Sequence, residues 1–274
     1  EASKTVGLVQ RLRAEAPAPA ADVFWSGEVF HTIRLAEEGL LAPYHDDQTR
    51  HWPARYADPQ GRWYGLALRA RVICYNTNRL TAAEAPRSLE DLLKSQWKGR
   101  IVMARPAFGT TGGDVASWFA HYGPEKAREI LRGLADNEVR QVDGNSTSAR
   151  MVGTGQADVG LTDTDDVYAG QRNNWPIAMH YLDQGWEGVL TIPNTVALVQ
   201  GAPHPALAKQ LMAFLLSPKV ERMLAQTYSR NTPVRPAVAE GLDCPRIPKP
   251  LEVDYAKVAD RLTEAIEAAE ELLP

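Results

Sequence analysis

The amino-acid sequence predicts an α/β protein, and two observations carry that prediction. Apolar runs of strand length alternate with amphipathic stretches of helical length along most of the 274 residues. Glycine or small hydroxyl residues repeatedly stand where a run hands over to the stretch after it, as helix starts require. The composition agrees: 44% of the residues are hydrophobic and 23% are charged, ordinary proportions for a folded chain of this length.

Taken in order, Ser3 caps a first helix with Val6, Val9 and Leu12 as its apolar stripe, and the stretch Pro17 to Ala20 stops it. Residues 21–25 read as a strand, and Ser26, Gly27 and Glu28 lead into a helix through Val29, Ile33 and Leu35. A strand over 63–68 continues through 71–75, a helix capped by Ser88 runs to Trp97, and 99–104 is a buried strand. The pattern then repeats. Gly109 to Gly113 feed a helix through Val115, Trp118, Phe119 and Tyr122, and Pro124 opens another that buries Ala127, Ile130, Leu131 and Leu134. A strand over 139–142 leads into a helix at residues 144–148, and a strand over 157–161 leads through an acidic turn into a helix over 167–171. Strands over 177–181 and 191–200 follow. Residues 205–229 are helical, with Leu207, Leu211, Phe214, Leu215, Val220, Met223 and Leu224 as the expected buried set. A last amphipathic helix runs from Tyr255 to Leu273.

Several function classes fall away on composition. No run of eighteen apolar residues offers a membrane span. The formal charge of -4 and the lack of a basic patch interleaved with aromatics speak against a nucleic-acid partner. The chain starts at Glu1 without a secretory signal, an absence that carries no information for a processed or trimmed sequence. Cys74 sits in an apolar run and reads as a buried free thiol; a bridge to Cys244 needs a proximity that sequence does not show.

Three helix starts carry the strongest local signal. Ser3, Thr110 with Thr111, and Asn145 with Ser146 and Thr147 stand where helix N–H groups lack partners and the helix dipole is positive. Such starts seat anions, and they also arise as ordinary caps. The second signal is the acidic turn with Asp163, Asp165 and Asp166, followed by Tyr168. It reads as a site for a cation or a ligand amine, or as a favourable charge at a helix N-terminus. Arg69 and Arg71 lie two apart on one strand face, and one of them reads as an anion clamp or a structural ion pair. Glu28, beside Trp25 and Ser26, reads as a ligand contact or as a cap.

Catalysis has little support. The glycine cluster at 109–113 lacks the ending of a P-loop and the spacing of a dinucleotide fingerprint. The six histidines show no metal spacing, and no nucleophile elbow is present. The chain is expected not to be an enzyme and to need no cofactor, a cleft enzyme with unassigned carboxylate chemistry standing as the rival class.

Several segments then show a specific resemblance. Residues 21–28, 38–43, 61–65, 69–71, 75–77, 97–100, 143–146, 161–166, 192–195 and 214–218, in this order, resemble the ferric-iron and small-anion extracellular solute-binding proteins of bacterial ABC importers. The resemblance covers nearly the whole chain. It implies a type II-like periplasmic-binding-protein fold, with two α/β lobes joined by two crossover strands and a ligand cleft between them. The crossings are expected near residues 75–78 and 179–183. One lobe would then hold residues 1–77 and 183–274, including the C-terminal helices, and the other residues 78–182. Family members start with a further strand, helix and strand before the position of Glu1, which implies a beginning that is missing from this sequence or removed rather than a functional deletion.

The resemblance also implies a role. A monomer, periplasmic or secreted, would capture a small molecule or a metal and deliver it to a membrane permease, in iron(III) transport by the family role. Family iron binders use two adjacent tyrosines just after the strand ending near Leu161, and these positions carry Asp165 and Asp166 here. The resemblance thus places a cation on Asp165, Asp166, Glu28 and Tyr168. Ligand contacts are expected from Ser3, Trp25, Ser26, Glu28, Arg69, Thr110, Thr111, Asn145, Ser146, Thr147, Asp163, Asp165 and Asp166. The alternative ligand is a small anion or zwitterion, such as a phosphonate or organophosphate.

Overall fold

A computed structural model describes residues 5–183, 185 and 187–274. The chain forms two compact units, Glu1–Arg69 with Ile192–Arg246, and Ala70–Thr191 with Ile247–Pro274. The first unit begins with α1 (Thr5–Glu15), β1 (Val23–Ser26), α2 (Phe30–Glu37) and β2 (Leu41–Ala42), and takes the first half of β3 (Tyr64–Asn76). The second holds the rest of β3, α3 (Leu89–Leu92), β4 (Ile101–Ala104), α4 (Thr110–Tyr122), α5 (Pro124–Asp136), β5 (Arg140–Val142), α6 (Asn145–Gly153), β6 (Val159–Asp163), α7 (Thr164–Arg172) and β7 (Ile177–Tyr181). The chain returns to the first unit for β8 (Thr191–Val199), α8 (Pro205–Leu215), α9 (Pro218–Gln226), β9 (Thr232–Pro233) and α10 (Pro236–Ala239). It ends in the second with α11 (Tyr255–Asp260) and α12 (Leu262–Leu272). Among the described residues no helix is long and apolar enough to cross a membrane.

In the first unit β8 pairs antiparallel with β1, Ser26 lying opposite Thr195, and the outset of β3 pairs with β9 at Ala67 and Leu68. In the second, β3 pairs antiparallel with β6 on one side and β7 on the other, while β4 runs parallel to both β6 and β5. Strands buried on both faces are apolar throughout, as Ile101–Ala104 and Val159–Leu161 are. The three parallel strands end at one edge of the sheet, so α4, α6 and α7, which follow them, all start there.

The boundaries differ from the expected ones. β3 is one continuous strand of 13 residues, and its partners change from β8 and β9 to β6 and β7 around Arg69 and Ala70, so the division falls inside the strand. The C-terminal helices belong to the second unit. Val258, Leu262, Ala265 and Ala269 are buried where α11 and α12 lie on α4 and α5.

Two element readings also change. β6 extends to Asp163 and α7 starts at Thr164, so the acidic turn is a strand end joined directly to a helical first turn. In α8 the buried residues are Ala208, Met212 and Leu215, whereas Leu207, Leu211 and Phe214 are exposed; on α9, Met223 is exposed too. Both sets on α8 have the same spacing, offset by one residue, so periodicity does not select the inner face. Both cysteines are free. Cys74 lies in an apolar cluster with Val72, Val102 and Val152, and burial pushes its thiol pKa up.

Candidate functional site

The carboxyl edge of the second unit's sheet gathers three helix N-termini: α4 at Thr110, α6 at Asn145 and α7 at Thr164. Side-chain bonds tie them together. Thr110 Oγ1 donates to Asp163 Oδ2 at 2.5 Å, and Asn145 Nδ2 donates to Thr110 Oγ1 at 2.6 Å and to Asp163 Oδ2 at 3.2 Å. Thr111 Oγ1 donates to Asn145 Oδ1 at 3.0 Å. Gly109, with φ of 61°, turns the chain into α4, and Gly112 lets the first turn come close to Pro106, whose carbonyl oxygen would lie 2.4 Å from an added Cβ.

Arg71 is the hub of this cluster. Its guanidinium is fully buried; Nε donates to Asp114 Oδ2 at 2.9 Å and Nη1 to Asp163 Oδ1 at 2.8 Å. Nη1 also reaches Asn145 Oδ1 at 3.2 Å and Thr110 Oγ1 at 3.3 Å. Burial raises the pKa of the Asp114 carboxyl despite Arg71 beside it. Two carboxylates enclosed with one guanidinium leave negative charge in a low-dielectric interior, and the three positive helix ends offset it. Of the two arginines read from the strand, Arg71 is thus the structural ion pair. Asp114 escaped the sequence reading. Its only signal was a carboxylate in the first two turns of a glycine-rich helix start, a common pattern.

Thr110, Thr111, Asn145 and Asp163 are therefore brought together, with side chains bonded to one another. Ser146 is exposed and Thr147 half-buried in the first turn of α6. One carboxylate oxygen each of Asp163, Asp165 and Asp166 lies within 4.8 Å of the others. Asp163 is buried, while Asp165 and Asp166 are half-buried, and Thr162 Oγ1 donates to Asp166 Oδ2 at 2.9 Å. Such a set of hard oxygen donors suits a hard cation or an amine. Tyr168 is hydrogen-bonded to Tyr181 of β7, whose own phenol is raised in pKa by burial first and by Tyr168 second.

In the first unit, the turn from β1 to α2 holds Trp25, Ser26 and Glu28. Trp25 is 42% exposed and the other two are buried. Glu28 Oε2 accepts from the N–H of Phe30 at 2.7 Å and of His31 at 3.2 Å, and Oε1 lies 3.0 Å from His31 Nδ1. The carboxylate thus closes the N-terminus of α2, the capping role that sequence left open beside ligand contact. Arg69 Nη2 donates to Asn194 Oδ1 at 2.9 Å, and Asn194 Nδ2 donates to the Ala67 carbonyl at 3.2 Å. Asn194 also escaped the sequence reading, because a single Asn in a strand announces nothing by itself. Ser3 lies outside the described residues.

A sequence model of the bacterial extracellular solute-binding proteins matches residues 18–258. Iron uptake protein A1 of Synechocystis sp. is 26% identical over 231 residues, 80% of this chain and 63% of that protein. The putative 2-aminoethylphosphonate-binding periplasmic protein of Salmonella typhi is 29% identical over 236 residues, 83% of this chain and 66% of that protein. The chain thus spans just under two thirds of the length of these two relatives. The solved structure of iron-bound HitA from Pseudomonas aeruginosa superposes with a TM-score of 0.86 at 26% identity, covering 97% of this chain and 87% of that one. The fold is the two-lobed α/β fold of type II periplasmic binding proteins, and the members of the matched family bind solutes rather than catalyse reactions. With that match along most of its length, the chain belongs to the bacterial extracellular solute-binding proteins.

Proposed function

We propose that the protein is the solute-binding component of an ABC importer, acting in the periplasm or as a secreted monomer that hands its ligand to a membrane permease. Its ligand is a hard cation, ferric iron by kinship, held on Asp165 and Asp166 together with a small anion. The observation that carries this reading is the carboxylate set of Asp163, Asp165 and Asp166, whose oxygens approach within 4.8 Å at the start of α7. Arg71 occupies one oxygen of Asp163, so Asp163 orients the turn while the half-buried Asp165 and Asp166 face the ligand. The names of the Synechocystis and Pseudomonas relatives, an iron uptake protein and an iron-bound structure, support the cation.

The helix starts at Thr110 and Asn145 favour a second reading, a zwitterion such as an aminophosphonate. Its anion would lie on those N–H groups and its amine on the carboxylates. The Salmonella relative, named for 2-aminoethylphosphonate, supports this alternative.

Titration of the iron-free protein with ferric nitrilotriacetate, followed by gel filtration and metal analysis, distinguishes them. Stoichiometric iron that D165N/D166N fails to retain is expected. Carboxylate ligation also predicts a bound iron without the intense visible band of a phenolate pair. Retention of aminoethylphosphonate with no iron would favour the second reading instead.

A further inference from the structure

The helix starts at Thr110 and Asn145 are where an anion would sit, and a buried carboxylate already stands between them. Three side-chain donors converge on Asp163: Thr110 Oγ1 at 2.5 Å, Arg71 Nη1 at 2.8 Å and Asn145 Nδ2 at 3.2 Å. The hydroxyl hydrogen of Thr111 goes to Asn145 Oδ1 at 3.0 Å. Side-chain donors that the two starts could offer to a bound oxyanion are thus turned inward, all within the second unit. The main-chain N–H groups in the first turn of α4 remain, because no helix carbonyl serves them. Arg71 Nη2 is also buried without a hydrogen-bond partner, so the cluster still calls for an acceptor oxygen.

Charge limits what can supply that oxygen. Arg71 cancels one of its two buried carboxylates, Asp114 and Asp163. Three helix N-termini of roughly half a charge each outweigh the other and leave about half a positive charge. Ferric iron on Asp165 and Asp166 would add one unit to this surplus. The total suits a single negative charge and falls short of two.

We propose that Asp163 is a specificity-determining residue for the co-bound anion: its carboxylate, fixed between the two helix starts, admits a singly charged oxyanion and turns away doubly charged ones. The inference rests on the reading of the site as one for a cation and a small anion. A fixed negative charge selects by repelling the wrong guest. Repulsion acts on every charge the guest carries, so a dianion is disfavoured about twice as strongly, in free energy, as a monoanion.

Calorimetric titration of sodium formate and sodium sulfate into iron-free and iron-loaded protein, at fixed ionic strength, tests it. The iron-loaded wild type is expected to bind formate about tenfold more tightly than sulfate. D163N keeps a side-chain oxygen for Arg71 and Thr110; it should strengthen sulfate binding about tenfold and formate binding only about threefold. S146D adds an exposed carboxylate at the start of α6, where it also favours the helix, and should weaken sulfate more than formate. Opposite shifts in the two variants are a response that mere loss of structure would not produce. Equal affinity of the wild type for both anions, or equal gains for both in D163N, overturns the inference while iron binding stands. Failure to retain iron with either anion refutes the cation reading instead, and the unequal gains of D163N in iron-free protein then decide the role of Asp163.

Discussion

A guanidinium enclosed as Arg71 is has no water to fall back on, so its partners decide whether the second unit holds together. Replacing Arg71 with Ala would leave Asp114 and Asp163 buried without their cation. The expected cost is about 3–5 kcal/mol, read as a lower midpoint in urea unfolding. A cost under about 1 kcal/mol would mean that the helix ends alone neutralise the pair. Asp183 offers a test by pH. Burial, with Asp114, Glu90 and Asp91 adding to it, pushes its carboxyl up to about 6, although the Leu89 N–H pulls the other way. The folded protein then binds this proton more tightly than the unfolded chain, whose carboxyl titrates near ~4. Stability from this group accordingly falls as pH rises from about 4 to about 6, and levels above that. D183N, which can still accept from Leu89, should flatten the slope and raise neutral-pH stability by ~1 kcal/mol. Thermal melts across that range check the sign.

Individual elements were legible in sequence where local chemistry fixed them. Pro124 at the first turn of α5, the Ser88 cap on α3 and the apolar strands β4 and β6 stand within a few residues of their expected places. What periodicity left undecided was which side of an element meets the core. α8 has two apolar faces of equal spacing, and only tertiary packing against the sheet of the first unit selects Ala208, Met212 and Leu215. Glu28 is the same lesson at a helix end, since a carboxylate in a strand-to-helix turn serves a ligand or the orphan N–H groups equally well on paper. E28A should cost about 1–2 kcal/mol by loss of the cap while leaving ligand affinity within twofold. An affinity loss without a stability loss would return Glu28 to the ligand. In α4, G112A should destabilise by about 1–3 kcal/mol, because its Cβ would press on the Pro106 carbonyl oxygen and on Leu262 of α12.

For the molecule as a whole, strand and helix order gave the α/β class, and the parallel run of β5, β4 and β6 explains why helix starts distant in sequence meet. The division into units was less legible, since a continuous strand gives no sequence signal at the residue where its partners change. The acidic turn and the helix starts at Thr110 and Asn145 were visible. Their inward linkage through Arg71 and Asp114 was not, because it depends on β3 lying beside β6, with Arg71 opposite Asp163. The central claim is that this cluster orients Asp165 and Asp166 to hold a cation. Native mass spectrometry of protein purified without added metal, recorded before and after mild unfolding and refolding, tests it most directly. One iron with a small anion, released on unfolding and missing from D165N/D166N, is the predicted result. An organic zwitterion of defined mass with no iron, retained equally by D165N/D166N, would contradict the claim.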